Sequence, residues 1–196
     1  MSPQYRIAIF ASGNGSNAEE IIKYFQHHPS ISVEIIVSNN PNAYVLERAK
    51  RHNVPALVMT RKEFQETVAS RLIDIQITHI VLAGFLWLIP TSLLDKFPNR
   101  IINIHPALLP KFGGKGMYGM KIHESVRASN ERESGITIHV VDEKYDEGTI
   151  LYQHKCEIAL NDTPQQIAEK VHQLEYIWYP RIIEKWILES PNGMGS

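Results

Sequence analysis

The chain has 196 residues, of which 43% are hydrophobic, and this suits one domain with a continuous core. Its formal net charge of -1 provides no basic field to hold a polyanion, so a nucleic acid is not an expected partner. The single cysteine, Cys156, excludes an internal disulfide, and the first residues lack the charged-then-apolar pattern of a secretory signal, which predicts a cytoplasmic protein. No apolar run approaches the roughly 20 residues that cross a bilayer, so no membrane association is expected.

The first half of the chain predicts strands and helices in alternation. Residues 5–10 are apolar, a glycine turn follows them, and residues 18–28 carry apolar side chains at helical spacing. The same order then repeats, with strands expected at 33–38, 56–59, 80–83 and 100–105 and helices at 43–52, 62–75 and 90–97. Such alternation is typical of parallel strands joined by helical crossovers. The predicted fold class is therefore α/β, a Rossmann-like open, mostly parallel sheet with helices on both faces.

The second half departs from this alternation. Residues 106–119 hold two prolines and four glycines, which predicts a long loop with a functional role. A helix is expected at 120–129. Two β-rich runs, 135–141 and 149–158, flank an acidic turn and predict an antiparallel pair at one side of the sheet.

The last predicted element is a long helix that starts at the capping sequence Thr163-Pro164-Gln165-Gln166. Pro180 is expected to kink or break this helix near Tyr179, because proline lacks a backbone N–H and its ring clashes with the preceding turn. We predict a single domain over residues 1–190 and a frayed tail at 191–196.

The glycine turn allows two interpretations. Gly13 to Ala18 fit the G-x-G-x-x-[GA] pattern of dinucleotide sites and lie between the first strand and the first helix. A dinucleotide site also needs an acid near the end of the second strand, and residues 38–41, Ser-Asn-Asn-Pro, contain none. The backbone N–H groups at the helix start, with Ser16 and Asn17, could instead bind a single phosphate, or the segment is a plain β-to-α turn.

Asn103 and His105 form a polar pair on an otherwise apolar strand. They lie two residues apart, so both side chains face one side, at the carboxyl end where open α/β sheets bind ligands. Burying such groups without partners costs roughly 1–3 kcal/mol each, so they either satisfy each other or face a substrate. A histidine can act as a general acid or base, and an asparagine amide can donate to an oxyanion. A carboxylate of the later acidic turn could tune the histidine, and spacing alone does not choose among Asp142, Glu143, Asp146 and Glu147.

Residues 103–110 read Asn-Ile-His-Pro-Ala-Leu-Leu-Pro and are followed later by Asp146-Glu147-Gly148. The two segments resemble the folate-dependent formyltransferases, whose pattern is N-x-H-P-S-L-L-P with a later D-x-G. The resemblance covers nearly the whole chain. Residues 12–17 and 83–85 look like the branch of the family that formylates glycinamide ribonucleotide (GAR) in purine synthesis, with 10-formyltetrahydrofolate as the one-carbon donor.

Carried over residue by residue, the resemblance implies three groups of site residues. The catalytic trio would be Asn103, His105 and Asp146. The ribonucleotide and its phosphate would bind to Gly15, Ser16 and Asn17, with Glu175 at the glycinamide end. The folate would contact the turn 140–146 and the residues Arg61, Leu86, Trp87, Leu88, Ile89 and Asn103, with Arg61 near its glutamate tail. No metal is implied, and small-molecule substrates are the expected partners of a monomer or weak homodimer.

The resemblance also implies an order of events in which the substrate amine adds to the formyl carbon. Asn103 and a protonated His105 would stabilise the resulting oxyanion. Asp146 would raise the pKa of the histidine and help to move protons.

Three departures from the family pattern concern the surroundings of this trio. Trp87 stands where many relatives carry arginine, and Thr149 replaces the proline that usually follows the D-x-G. Segment 111–119 is longer and richer in glycine than the usual version, so no residue roles transfer within it. Its position and charge lead to the hypothesis that the loop closes over substrate and that Lys115 meets the phosphate.

Four other functions are weighed against this one. Methionyl-tRNA formyltransferase carries an additional C-terminal domain and formyltetrahydrofolate deformylase a preceding regulatory domain, so the length of this chain disfavours both. Sugar-nucleotide formyltransferases fit by length, although the turn at 12–17 suits a monophosphate better. A non-catalytic ribonucleotide-binding protein, finally, would keep the trio as structural residues. An assay for formyl transfer separates that last class from the enzymes.

Overall fold

The computed structural model describes residues 4–189, and the tail expected at 191–196 lies outside them. Seven strands form one sheet: β1 Tyr5–Phe10, β2 Ile31–Ser38, β3 Ala56–Val58, β4 His79–Leu82, β5 Ile101–His105, β6 Glu133–Val140 and β7 Ile150–Glu157. In the part of the chain that the structure describes, seven helices accompany them: α1 Ser16–Phe25, α2 Val45–Arg51, α3 Arg61–Glu66, α4 Val68–Asp74, α5 Thr91–Lys96, α6 Met120–Ala128 and α7 Pro164–Glu189. None of the helices within 4–189 combines the length and the apolar character needed to cross a membrane.

The strand order of the sheet is β3-β2-β1-β4-β5-β6-β7. Neighbouring strands from β3 to β5 are parallel, whereas β6 runs antiparallel to both β5 and β7. The predicted mostly parallel sheet and its late antiparallel pair are therefore confirmed. The strand order reverses between β1 and β4, and open α/β sheets bind ligands beside such a switch point, at the carboxyl ends of the strands.

Two apolar clusters cover the two faces of the sheet. Along β1, Ile7 and Ile9 belong to one cluster, and Ala8 and Phe10 belong to the other. This is the alternation expected of a strand that is buried on both sides. Buried residues of α1, α2, α6 and α7 complete the first cluster, and those of α3, α4 and α5 complete the second.

The helix predicted at 62–75 is wrong in one respect, because it consists of two short helices. Thr67, between α3 and α4, has a φ of -127° and a ψ of -12°, outside the helical region. Its hydroxyl donates to the carbonyl of Glu63 at 2.9 Å, as does its backbone N–H at 2.8 Å. A threonine that bonds to the preceding turn in this way competes with the regular helical pattern, so the chain turns at this point.

Of the two effects expected at Pro180, a kink or a break, the break is wrong, since α7 continues through it to Glu189 and has 26 residues. Tyr179 and Pro180 are both buried, and the Tyr179 hydroxyl donates to the carbonyl of Leu82 at 2.8 Å. Packing of this kind supplies most of the stability of a helix in a protein, so it offsets the one hydrogen bond that proline removes.

Candidate active site

A cavity of about 590 Å³ opens at the carboxyl ends of β1, β4 and β5. It lies at the switch point of the sheet, where the topology predicts a ligand site. Its size falls within the roughly 300–1,000 Å³ that is usual for small-molecule sites. Its walls come from residues 13–17, 82–89, 103–106, 114–119 and 144–146 and from the residues Ile122, His139, Val141, His172 and Glu175.

The glycine turn forms one wall of this cavity. Gly15 adopts a φ of +73°, and a side chain there would collide with Val45 of α2, so only glycine fits. Gly15 is the N-cap of α1 and no side chain caps the helix. The N–H groups of Ser16 and Asn17 therefore stay available for a ligand, which favours the phosphate interpretation over the plain turn.

Asn103, His105 and Asp146 come together on another wall. Nδ1 of His105 lies 3.5 Å from Oδ2 of Asp146, and Nδ2 of Asn103 lies 3.4 Å from Oδ1 of the same carboxylate. Asp146 follows β6 in a turn and adopts a φ of +59°, which is unusual for a residue other than glycine. The fold thus selects Asp146 from the four acids of that turn as the neighbour of the histidine.

His139 is a member of this cluster that the sequence reasoning missed. It lies on β6 directly opposite Asn103, and its Nε2 is 3.2 Å from Nδ2 of Asn103 and 3.5 Å from Oδ1 of Asp146. Its Nδ1 faces the carbonyl of Val140 at 2.9 Å. A carbonyl can only accept, so neutral His139 carries its hydrogen on Nδ1 and accepts the Asn103 amide at Nε2. Thr137 and His139, two polar residues at period two on an apolar strand, were the signal that could have revealed it.

The backbone of the 106–119 loop forms hydrogen bonds with two members of the trio, His105 and Asp146. The carbonyl of Phe112 accepts a hydrogen bond from Nε2 of His105 at 2.8 Å, and the N–H of Gly114 donates to Oδ2 of Asp146 at 3.0 Å. Phe112 has a φ of +59°, so the loop reaches the histidine through a strained backbone conformation. The loop is thus part of the cavity wall that holds His105 and Asp146.

Burial and the neighbouring groups together set the charge states of His105 and Asp146. Burial lowers the pKa of His105 and outweighs the opposite effects of Asp146 and the Phe112 carbonyl, so the net pKa lies below its usual value. Burial acts to raise the pKa of Asp146, but the neighbouring imidazoles of His139 and His105 and the N–H of Gly114 outweigh it, and the net pKa is lowered. At neutral pH the resting pair is therefore a neutral imidazole beside a carboxylate. The protonated His105 expected beside the oxyanion belongs to a later stage of the reaction and stays a prediction, and Asp146 acts on the pKa of His105 in the expected direction.

Glu175 of α7 lies opposite the glycine turn. Its Oε2 accepts a hydrogen bond from Nδ2 of Asn17 at 3.0 Å, while Oδ1 of Asn17 is buried without a partner. Burial raises the pKa of Glu175 to about 7, and the bond from Asn17 only partly opposes this effect. The fold therefore unites Asn17 and Glu175, which are separated by most of the chain, in one polar corner of the cavity.

The segment after β4 forms the apolar wall of the cavity. Residues 85–89 all line it, and Ser12 fixes the start of the segment by accepting the N–H of Leu86 at 3.0 Å. The predicted cofactor residue Arg61 is not among the lining residues. Its guanidinium lies instead 4.9 Å from the ring centre of Trp87, which does line the cavity. Arg61 thus stands behind the wall, stacked on the residue that replaces the arginine of many relatives.

Two further expectations concern lysine and metal. Lys115 does line the cavity together with the glycine turn, as the hypothesis of a phosphate contact requires. Within the described residues 4–189, no three histidine, cysteine, aspartate or glutamate side chains are grouped as a metal site needs.

A family model described as formyl transferase matches residues 5–183. The chain belongs to the formyl transferase family. The match spans β1 to α7 and so includes every wall of the cavity.

Several relatives of this chain share one name. The chain is 36% identical over 187 residues to the phosphoribosylglycinamide formyltransferase of Bacillus subtilis, covering 92% of this chain and 93% of that one. It is 38% identical over 192 residues to the chloroplastic phosphoribosylglycinamide formyltransferase of Arabidopsis thaliana, covering 91% of this chain. It spans only 64% of the Arabidopsis protein and 60% of its counterpart in Vigna unguiculata.

Solved structures agree with the fold of this chain. The phosphoribosylglycinamide formyltransferase of Bacillus halodurans superposes with a TM-score of 0.84 at 34% identity, covering 96% of this chain and 98% of that one. The enzyme of the same name from Streptococcus pneumoniae gives 0.82 at 33% identity, covering 93% and 99%.

Proposed function

We propose that the protein transfers the formyl group of 10-formyltetrahydrofolate to the amine of N1-(5-phosphoribosyl)glycinamide, in the synthesis of purines. The observation that carries the proposal is the meeting of Asn103, His105 and Asp146 on the wall of a cavity whose other walls are a helix N-terminus and an apolar segment. The names of the relatives support the choice of substrate.

Two different walls of the cavity suit the two substrates. The phosphate of the ribonucleotide suits the free N–H groups at the start of α1, beside Gly15, Ser16 and Asn17. Glu175 and the unpartnered Oδ1 of Asn17 are acceptors for its amine or hydroxyl hydrogens. The folate ring suits the apolar segment 85–89, and Arg61 behind Trp87 offers a cation for a carboxylate of the tail.

The catalytic residues divide the proton and charge chemistry between them. The amine adds to the formyl carbon, so the carbonyl oxygen gains negative charge and the amine nitrogen must lose a proton. The Asn103 amide is a donor for the oxyanion, since its bond to Asp146 is long, at 3.4 Å, and easily exchanged for a stronger one. His105 takes up a proton at Nδ1, where the carboxylate of Asp146 stabilises the imidazolium, and returns it to the leaving nitrogen of the folate.

The test is a direct assay with purified protein. 10-Formyltetrahydrofolate and GAR are incubated with the wild type and with His105→Ala, and the formylated ribonucleotide is measured by mass spectrometry. We expect product with the wild type and a loss of roughly 10²- to 10⁴-fold in kcat with the variant. Binding of GAR without any formyl transfer would favour a ribonucleotide-binding protein. Transfer to an amino-sugar nucleotide in preference to GAR would favour the sugar-nucleotide branch.

Location and assembly follow the same proposal. A cytoplasmic enzyme suits the single cysteine and the soluble substrates, although the Arabidopsis relative is named as chloroplastic. A monomer or weak homodimer stays a prediction, which analytical ultracentrifugation tests.

A further inference from the structure

A row of three polar residues crosses three strands beside the catalytic histidine. His105 on β5 lies opposite Thr137 on β6, and Thr137 lies opposite Gln153 on β7. Thr137 is fully buried. Side chains in such a cross-strand row are direct neighbours, so what Thr137 and Gln153 hold lies next to His105.

The side chains of Thr137 and Gln153 form hydrogen bonds with each other and with the backbone at the start of the 106–119 loop. The Thr137 hydroxyl donates to the carbonyl of Ala107 at 2.7 Å and accepts the N–H of Leu109 at 2.9 Å. Nε2 of Gln153 uses both of its hydrogens, one for that hydroxyl at 2.9 Å and one for the carbonyl of Leu109 at 3.0 Å. A hydroxyl has one hydrogen and two lone pairs, so the Thr137 oxygen has no capacity left for another partner.

The backbone that these side chains pin is the one that holds the catalytic pair. Three residues after Leu109, the Phe112 carbonyl binds Nε2 of His105, and the N–H of Gly114 binds Asp146. Gly113 packs closely on both sides, since a Cβ there would lie 2.5 Å from the Leu109 side chain and 3.3 Å from that of Asp146. A shift of Leu109 is therefore passed on to the contacts of both catalytic groups.

We propose that Thr137 and Gln153 are positioning residues that act through Leu109 to set the orientation of His105 and its hydrogen bond to the Phe112 carbonyl. The proposal rests on the proposed function for its kinetic consequences. Neither side chain lines the cavity, so neither contacts substrate. Their effect comes from fixing the loop so that the Phe112 carbonyl stays within hydrogen-bond distance of the imidazole.

The first test is kinetic. Gln153→Glu keeps the size of the side chain but removes both N–H donors at neutral pH, and Thr137→Val keeps its shape but removes the hydroxyl. We expect kcat to fall by about 10-fold in each, because a small misplacement of catalytic groups has large effects, while KM for GAR changes by less than about twofold. Thr137→Ser retains the hydroxyl and should restore kcat. In Thr137→Val, the part of the kcat–pH profile that reports His105 should move to lower pH, since the Phe112 carbonyl supports its charged form. This readout uses Thr137→Val alone, because the new carboxylate of Gln153→Glu would itself act on the pKa of His105.

The control and a second readout keep the outcomes distinct. Ile138→Val lies on the same strand with its side chain on the opposite face, in the apolar cluster, and loses a comparable amount of stability. It should leave kcat and the pH profile of kcat unchanged. The proposal would be overturned if kcat were unchanged in both Gln153→Glu and Thr137→Val and the pH profile of kcat were unchanged in Thr137→Val. An equal loss of kcat in Ile138→Val would also overturn it. NMR titration of His105 in the free protein needs no formyl transfer: a lowered pKa in Thr137→Val supports the positioning role even if the proposed reaction fails, and an unchanged pKa contradicts it.

Discussion

Gly148→Ala is the substitution that most directly tests how the turn positions the catalytic acid. A Cβ at Gly148 falls well inside contact distance of the Val140 carbonyl oxygen, and it lies 3.5 Å from Nδ1 of His139. A backbone oxygen cannot rotate away as a side chain can, so the turn and β6 must separate by roughly 1 Å. Asp146, two residues earlier, then loses its geometry toward His105, where the present distance is 3.5 Å. Misplacement on this scale lowers kcat by about 10²-fold, or roughly 2.7 kcal/mol of transition-state stabilisation.

Steady-state formyl transfer to GAR measures this effect, together with urea unfolding to follow stability. The matched control is Glu147→Ala in the same turn, because Glu147 is exposed and its ion pair with Lys144 at 3.1 Å is a surface pair of little energetic weight. We expect the control to keep kcat and the Gly148→Ala protein to remain folded with a strongly lowered kcat. A Gly148→Ala enzyme with the kcat of the wild type would refute the argument that this glycine positions Asp146.

Three more predictions concern the acid, the core and the buried glutamate. Asp146→Asn should lower kcat by roughly 10²- to 10⁴-fold with a smaller change in KM, and a near-normal kcat would remove Asp146 from the trio. Tyr179→Phe leaves the Leu82 carbonyl without its 2.8 Å donor, so the free energy of unfolding in urea should fall by about 1–2 kcal/mol, and an unchanged value would contradict this. Because burial raises the pKa of Glu175 from 4.5 to about 7, the folded state keeps a proton that the unfolded chain releases, and stability falls as the pH rises across that window. Other buried groups titrate in the same window, so the Glu175 contribution is the difference between two proteins: across the window, the change in the free energy of unfolding in urea should be less favourable in the wild type than in Glu175→Gln by on the order of 3 kcal/mol.

Much of the fold was predictable because the local patterns of apolar residues match the burial of the strands in the sheet. The apolar alternation that predicted parallel strands up to residue 105 reflects strands buried on both faces, and the two β-rich runs pair as expected. Two predictions about helix continuity were wrong. At Thr67 the hydroxyl bonds to the carbonyl of Glu63, and the chain turns where one helix was expected. At Pro180 the buried packing of Tyr179 keeps α7 continuous where a break was expected.

The candidate site divides in the same way. Asn103 and His105 were evident from the sequence because two polar groups at period two on a buried strand need a reason. Asp146 was one of four acids until the resemblance selected it, and the structure places it beside the histidine. His139 was overlooked, although Thr137 and His139 repeat the same polar pattern on β6. Arg61 was expected near the glutamate tail of the folate; it stacks on Trp87, and its contact with the folate stays a prediction.

By itself, the sequence determined the strands and helices, the parallel direction of the early strands, and the polar pair Asn103 and His105 at the carboxyl end of a strand. These follow from side-chain periodicity, which is a property of the local chain. Only the tertiary structure decided which distant groups meet: His139 with Asn103, Asn17 with Glu175, and the loop backbone with both catalytic side chains. It also decided their charge states, since the lowered pKa of His105 and the raised pKa of Glu175 both come first from burial. Burial depends on every element packed around a group, and no local pattern contains that information.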